Sequence, residues 1–131
     1  MPTREQIVDK VLEVWQLWNR ADHDGWVKLF HPDIVIVDPV GAPPKHGLDA
    51  VETSWVAGFS LEPWYVVPSN IIVCGNTAAF GASHTSTLDG KRVLLNDIEI
   101  WEFADDGRVI GLTAYYEPFA GTPDYFQPSN E

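Results

Sequence analysis

Val35-Ile36-Val37-Asp38-Pro39-Val40-Gly41-Ala42-Pro43-Pro44-Lys45-His46-Gly47 is an apolar run that carries one carboxylate to a strand end, followed at once by a Pro/Gly-rich loop. The two-residue strand period puts Asp38 on the face of Ile36. Aspartate is a poor strand former, and a half-buried one must be hydrogen-bonded, paired or protonated. The same pattern also suits plain turn chemistry, since Asp-Pro commonly opens turns and Asp38 can simply cap this one.

The stretch lies between a helical half and a strand-rich half. Upstream, Thr3 and Gln6 make a capping box for a first helix. Ile7, Val8, Val11, Leu12, Val14, Trp15 and Trp18 then recur at three and four residues, an amphipathic stripe. A polar break at Asn19 to Asp22 leads into a shorter helix carrying Trp26, Val27, Leu29 and Phe30 and ended by Pro32, with a first strand over about 34–38. Downstream, Gly47 to Phe59 reads as a third helix, with Val51, Trp55 and Phe59 four apart.

After Pro63 strand patterns dominate, over 64–67, 71–74, 77–88, 93–103 and 109–116. Gly75-Asn76, Asp89-Gly90 and Asp106-Gly107 are hairpin turns between them. Helices first and antiparallel strands afterwards predict an α+β domain, with three N-terminal helices on one face of a strongly curved, mostly antiparallel sheet. Residues 1–131 form one domain, with 1–4 and the Pro/Gly/Ser/Asn-rich 118–131 loosely held.

At 131 residues and 45% hydrophobic, the chain can bury a real core. Six tryptophans demand a sizeable interior or an apolar cavity. Nineteen acidic against eight basic residues, a net charge of −11, argue against nucleic acid or an anionic membrane as partner. Cys74 is alone and reads as a small buried hydrophobe, so no intrachain disulfide or CxxC motif exists. No secretory h-region and no run of 18 apolar residues are present, which predicts a cytoplasmic protein.

With Asp38-Pro39-Val40-Gly41-Ala42-Pro43-Pro44-Lys45-His46-Gly47, Glu99 to Phe103, Asp105-Asp106-Gly107-Arg108-Val109 and Ala114-Tyr115-Tyr116, the chain resembles the nuclear-transport-factor-two-like (SnoaL-like) superfamily of cone-shaped α+β barrels. Within it the similarity is closest to bacterial steroid Δ5-3-ketoisomerases and covers most of residues 5–117. The resemblance implies a single ketosteroid-isomerase-like domain in which Asp38 is a general base moving a proton next to a carbonyl. In that family a tyrosine and a protonated aspartate meet the developing oxyanion.

Val14 falls where the family has that tyrosine, Phe30 and Trp55 where it has two supporting ones, and Glu99 where it has the protonated aspartate. In the family register Asp97, Glu99 and Trp101 point inward, and enclosure by aromatics keeps Glu99 neutral as a donor. The alternative is a Glu99 paired with a cation on a solvated or intersubunit face. His84 shares an inward face with Ala82 and Ser86 and can donate to a carbonyl or relay a proton, or else is a surface strand residue among Ser and Thr.

Trp15, Trp18, Phe30, Trp55, Phe59, Phe80, Trp101 and Tyr116 lie on helix stripes or inward strand faces; they are the candidate substrate-binding set, and such aromatic stripes equally serve as plain core. His46 reads as a residue that fixes its loop, and His31 as one that caps a helix end. Asp22-His23-Asp24 is no metal motif, and no HExxH, GxSxG elbow, P-loop or dinucleotide fingerprint appears.

The expectation is a cofactor-independent isomerase of a steroid-like or polycyclic ketone, with Asp38, Glu99 and His84 catalytic and no metal. Its partners would be a hydrophobic small molecule and a second copy in a homodimer, with no nucleic acid and no membrane. The alternatives are a polyketide cyclase, epoxide hydrolase or dehydratase of the same superfamily, or a non-catalytic binding module.

Overall fold

A computed structural model of the chain describes residues 1–59, 63–117 and the short strand at 127–128. Helix α1 (Arg4–Asn19) starts on the expected capping box. Thr3 Oγ1 accepts the Gln6 N–H at 3.1 Å, and the Gln6 side chain accepts the Thr3 N–H at 2.8 Å. Thr3 and Arg4, expected to be loosely held, are thus the cap and first residue of α1. Its stripe buries Ile7, Val11, Val14, Trp15 and Trp18. Fully burying a side chain such as Ile7 contributes roughly 1.5–3 kcal/mol.

The second helix is shorter than the periodicity predicts. α2 (His23–Val27) begins on Asp22, whose side chain accepts the Gly25 N–H. Phe30 lies beyond it and opens strand β1 (Phe30–Val37). Pro32 does not stop a helix; it sits in β1 where the pairing with a later strand slips between Phe30 and Val35. A missing N–H is tolerated at such an irregularity. Strand β2 (Lys45–His46) pairs back on β1, and α3 (Gly47–Phe59) follows as expected. The candidate loop histidine His46 pairs opposite Val35, and His31 accepts the Asp33 N–H at 3.0 Å instead of capping a helix.

Four strands complete the main sheet: β3 (Tyr65–Cys74), β4 (Thr77–Leu88), β5 (Lys91–Phe103) and β6 (Val109–Tyr115). A two-residue strand β7 (Gln127–Pro128) pairs with β5. The expected pair of short strands over 64–74 is one strand, because an irregularity between Ser69 and Ile72, with Asn70 at φ 53°, absorbs the break. Pro68 fits there because β3 is an edge strand. Cys74 ends that edge strand and is exposed, contrary to the buried role expected of it.

The strand order is β2-β1-β6-β5-β4-β3, antiparallel throughout except for the parallel β1–β6 pair. The sheet is curved and unclosed, with the helices on its concave side. Along β4 and β5 burial alternates without exception over Ala78 to Ser86 and over Val93 to Phe103. This alternation sends His84, Asp97, Glu99 and Trp101 to the interior and Ile98 and Ile100 to the outside. The sequence pattern of β5 left that choice open. Among the described residues no helix is long and apolar enough to cross a membrane.

Helix α3 meets α1 through a close approach at Gly58. A Cβ there would run into the six-membered ring of Trp18. Gly58→Ala is expected to destabilise the fold by about 1–3 kcal/mol through overpacking. Urea denaturation measures this, and an unchanged midpoint would mean that the two helices do not pack this tightly.

Candidate active site

A cavity of about 180 Å³ opens between the helices and the concave face of the sheet. Its walls are mostly apolar: Val14, Trp15, Trp18, Trp26, Phe30, Ile36, Val51, Trp64, Leu95, Trp101, Leu112 and Ala114. Asp38, Lys45, His84, Asp97, Glu99 and Tyr116 supply the ionisable and hydroxyl groups.

The inner cluster is built by β4 and β5. Ala82 pairs with Asp97 and Phe80 with Glu99, so His84 lies diagonally across from Asp97. His84 Nε2 is 3.1 Å from Asp97 Oδ2 and 3.3 Å from Glu99 Oε2. Trp101, two residues along the same face, donates its indole N–H to Glu99 Oε1 at 3.0 Å. All four residues are buried. Asp97 Oδ1 has no hydrogen-bond partner among the described residues, leaving one acceptor for a protonated neighbour or a substrate hydroxyl.

Burial raises the Glu99 pKa to about 7, and the nearby Asp97 charge adds to this while His84 opposes it. For His84, burial works against the charged ring, while hydrogen bonds to Asp97 and Glu99 pull its pKa upward. The remaining ring nitrogen, Nδ1, is met at 3.0 Å by the indole N–H of Trp64.

Asp38 lies just past β1 at the cavity mouth and keeps an exposed outer surface. It is therefore not the enclosed carboxylate that the strand pattern suggests. Its inner side is crowded enough for desolvation to raise its pKa, and the Asp97 charge acts in the same direction. A hydrogen bond from Tyr116, together with His84 and Lys45, pulls the pKa the other way. A tyrosine hydroxyl thus stands just after β6, beside Asp38.

The cavity gathers Asp38, Glu99 and His84, and with them Trp15, Trp18, Phe30, Trp101 and Tyr116. Trp55, Phe59 and Phe80 do not line it. Trp55 and Phe59 stack on each other at 4.1 Å and turn toward Trp18, while Ser54, Ala57 and Gly58 present the cavity face of α3. Phe80 packs edge-on against Trp101 at 5.0 Å, behind the wall. Asp97, Trp26 and Trp64 were not in the candidate set. Asp97 was readable from its parity with Glu99, whereas Trp64 precedes β3 and carries no periodic signal.

His84, Asp97 and Glu99 offer donor atoms within 4.8 Å of one another, a set that by type could hold a divalent cation. The ring does not fit that role. A histidine bound to metal through Nε2 keeps its proton on Nδ1 and hands it to an acceptor, but the indole facing Nδ1 is a donor. His23 bonds Glu52 at 2.7 Å on the exposed outer side of α2 and α3, away from this cavity.

A model of the SnoaL-like domain matches residues 11–112. The chain belongs to the SnoaL-like family. Among solved structures, it is similar to the epoxide hydrolase/cyclase-like enzyme SalBIII, described for its role in pyran ring formation in the polyether salinomycin. The two share 18% identity with a TM-score of 0.78, over 97% of this chain and 100% of the other. The superposition bears out the cone-shaped α+β fold of the nuclear-transport-factor-two-like superfamily.

The Glu99 shift has a sign in stability. Its folded pKa of about 7 lies above the ordinary 4.5, so its contribution is full below pH 4.5 and is lost as pH rises through 7. Melting temperature is expected to fall across this window by several degrees, on the order of 4 °C per kcal/mol lost. Glu99→Gln should flatten that segment of the profile; a variant curve parallel to wild type from pH 4.5 to 7 would contradict the assignment.

Proposed function

We propose that the protein is an acid–base enzyme working without a cofactor on an apolar, oxygen-bearing substrate, with Glu99 as proton donor and Asp38 as base. The observation that carries this reading is the pairing, in one apolar cavity, of a buried carboxyl with pKa near 7 and a second carboxyl at the mouth. Two carboxyls in unlike surroundings divide acid and base roles between them. A donor poised near neutral pH is suited to general acid work.

Ring closure on a hydroxy-epoxide is the reaction these groups serve best. Asp38 takes the proton of the substrate hydroxyl, whose oxygen attacks an epoxide carbon. The epoxide C–O bond breaks, and Glu99 gives its proton to the departing oxygen. Solvent at the mouth then takes the proton from Asp38 and returns one to Glu99. Breaking a C–O bond calls for a true acid at the oxygen, which the Asp97–Glu99 pair provides. Pyran formation by the structural neighbour is a fold-level analogy in the same direction.

The same pair would serve the isomerase reading, with Asp38 removing a proton next to a carbonyl and Glu99 meeting the enolate oxygen. The Asp38-Pro39 loop and the Tyr116 bond to Asp38 favour it. Two observations weigh against a steroid substrate. Val14, which the sequence resemblance aligns with the isomerases' donor tyrosine, lines the cavity and carries no hydroxyl. The cavity, about 180 Å³, is below the roughly 300–1,000 Å³ usual for drug-sized ligands. A one-ring or chain-like segment suits it better than four fused rings.

We also propose that a second copy covers the outer face of the sheet. Ile72, Ile100, Ile98 and Tyr115 are exposed there in two adjacent cross-strand rows. An apolar surface of this kind calls for a partner.

Incubation with γ- and δ-hydroxy-epoxides is expected to give cyclic ethers. Asp38→Asn and Glu99→Gln should each lower the rate by roughly 10²–10⁴ while binding stays within a few-fold. Conversion of a 5-ene-3-ketosteroid with no ether formed would hand the site to the isomerase reading. Equal ligand binding by wild type and Asp38→Ala, with no product from either substrate class, would leave a binding module. Light scattering should give a dimer for wild type and a monomer for Ile98→Lys/Ile100→Lys; a monomeric wild type at micromolar concentration ends the dimer proposal.

A further inference from the structure

We propose that Trp64 is a positioning residue: its indole N–H pins His84 in the neutral form protonated on Nε2, making His84 a fixed donor to the Asp97–Glu99 pair. Donors and acceptors around the His84 ring fix its tautomer. An indole N–H can only donate, so a nitrogen 3.0 Å away must offer a lone pair. Nδ1 of His84 is therefore unprotonated, and the ring proton sits on Nε2. That atom faces Asp97 Oδ2 and Glu99 Oε2 at 3.1 and 3.3 Å, both acceptors. Every donor in the set meets an acceptor.

An imidazolium would instead turn an N–H toward an N–H. The indole cannot easily swing away to avoid this. Trp18 donates its own indole N–H to the Trp64 carbonyl at 3.0 Å, and the two rings pack edge to face. Trp64 and Trp15 each meet the His84 ring edge-on, at 6.0 and 5.8 Å.

Opposing charges face this ring from several elements. Asp97 and Glu99 on β5 favour the imidazolium. Asp38, from the end of β1, lies within electrostatic reach and is itself influenced by Lys45 on β2. From α1 comes the Trp15 ring, and from the segment before β3 the Trp64 donor. The carboxyls thus pull a second proton onto His84, while the indole blocks the atom that would take it.

The consequence, which rests on the acid–base reading above, concerns the proton that moves. With Nδ1 occupied and Nε2–H committed to two carboxyls, His84 does not relay protons. The proton given to substrate rides on the carboxyl pair, and Trp64 keeps it there by keeping His84 uncharged.

Long-range ¹H–¹⁵N correlation on histidine-labelled protein tests this without substrate. At pH 7, wild-type His84 is expected to show one unprotonated nitrogen, Nδ1, and one protonated nitrogen, Nε2. In Trp64→Phe, which keeps a ring but loses the donor, both nitrogens should be protonated at that pH. The new positive charge should then shift the upper limb of the rate profile down by about one pH unit.

An imidazolium or an Nδ1–H form in the wild type overturns the proposal, and so does an unchanged His84 signal in Trp64→Phe. If the variant fails to fold, the wild-type spectrum alone decides. Loss of the ring-closing reading would appear separately, as a wild type with this tautomer and no turnover.

Discussion

Carboxyls removed from water must be answered by N–H donors, and the interior of this protein is arranged around that demand. Asp97 and Glu99 lie on the concave face of the sheet under a cover of tryptophans. Unpaired, two such groups would cost several kcal/mol each. His84 and Trp101 answer them directly, and Trp64 answers His84 in turn. Trp18 holds the Trp64 backbone, and Gly58 gives Trp18 room to do so. A chain of contacts therefore runs from Gly58 on α3 through Trp18, Trp64 and His84 to Glu99 at the inner end of the cavity.

This arrangement separates two carboxyls by environment. Glu99 sees little water and its pKa is raised by burial, while Asp38 keeps one side in solvent and a tyrosine hydroxyl on another. Difference in solvation, more than identity of residue, distinguishes the two. The same contrast depends on the length of the Glu99 side chain. Its carboxyl is surrounded by rings and donors and reaches both the Trp101 indole and His84.

Much of the fold was legible in the chain. The capping box at Thr3, the stripe of α1, the bounds of α3 and the long strand over 77–88 follow from local chemistry and emerge as read. The departures have local causes of another kind. Phe30 and Pro32 looked helical because the apolar spacing continues past α2, but pairing of Phe30 with Val109 draws that segment into β1. Asn70 adopts a left-handed backbone that lets one strand run through an apparent break. Trp55 and Phe59 share the α3 stripe with residues that face the cavity, and only the roll of the helix decides which side meets α1.

The sequence by itself determined the order of helices and strands, the inward placement of an alternating row and the presence of acid groups among aromatics, because these depend on periodicities of two and 3.6 residues. Which row of β5 faces inward, which tryptophans line the cavity and which hydrogen atom sits on His84 were decided by tertiary structure alone. Those outcomes depend on groups brought together from positions 18, 64, 84, 97, 99 and 101. Spacing along a chain carries no information about a donor meeting an acceptor across a sheet.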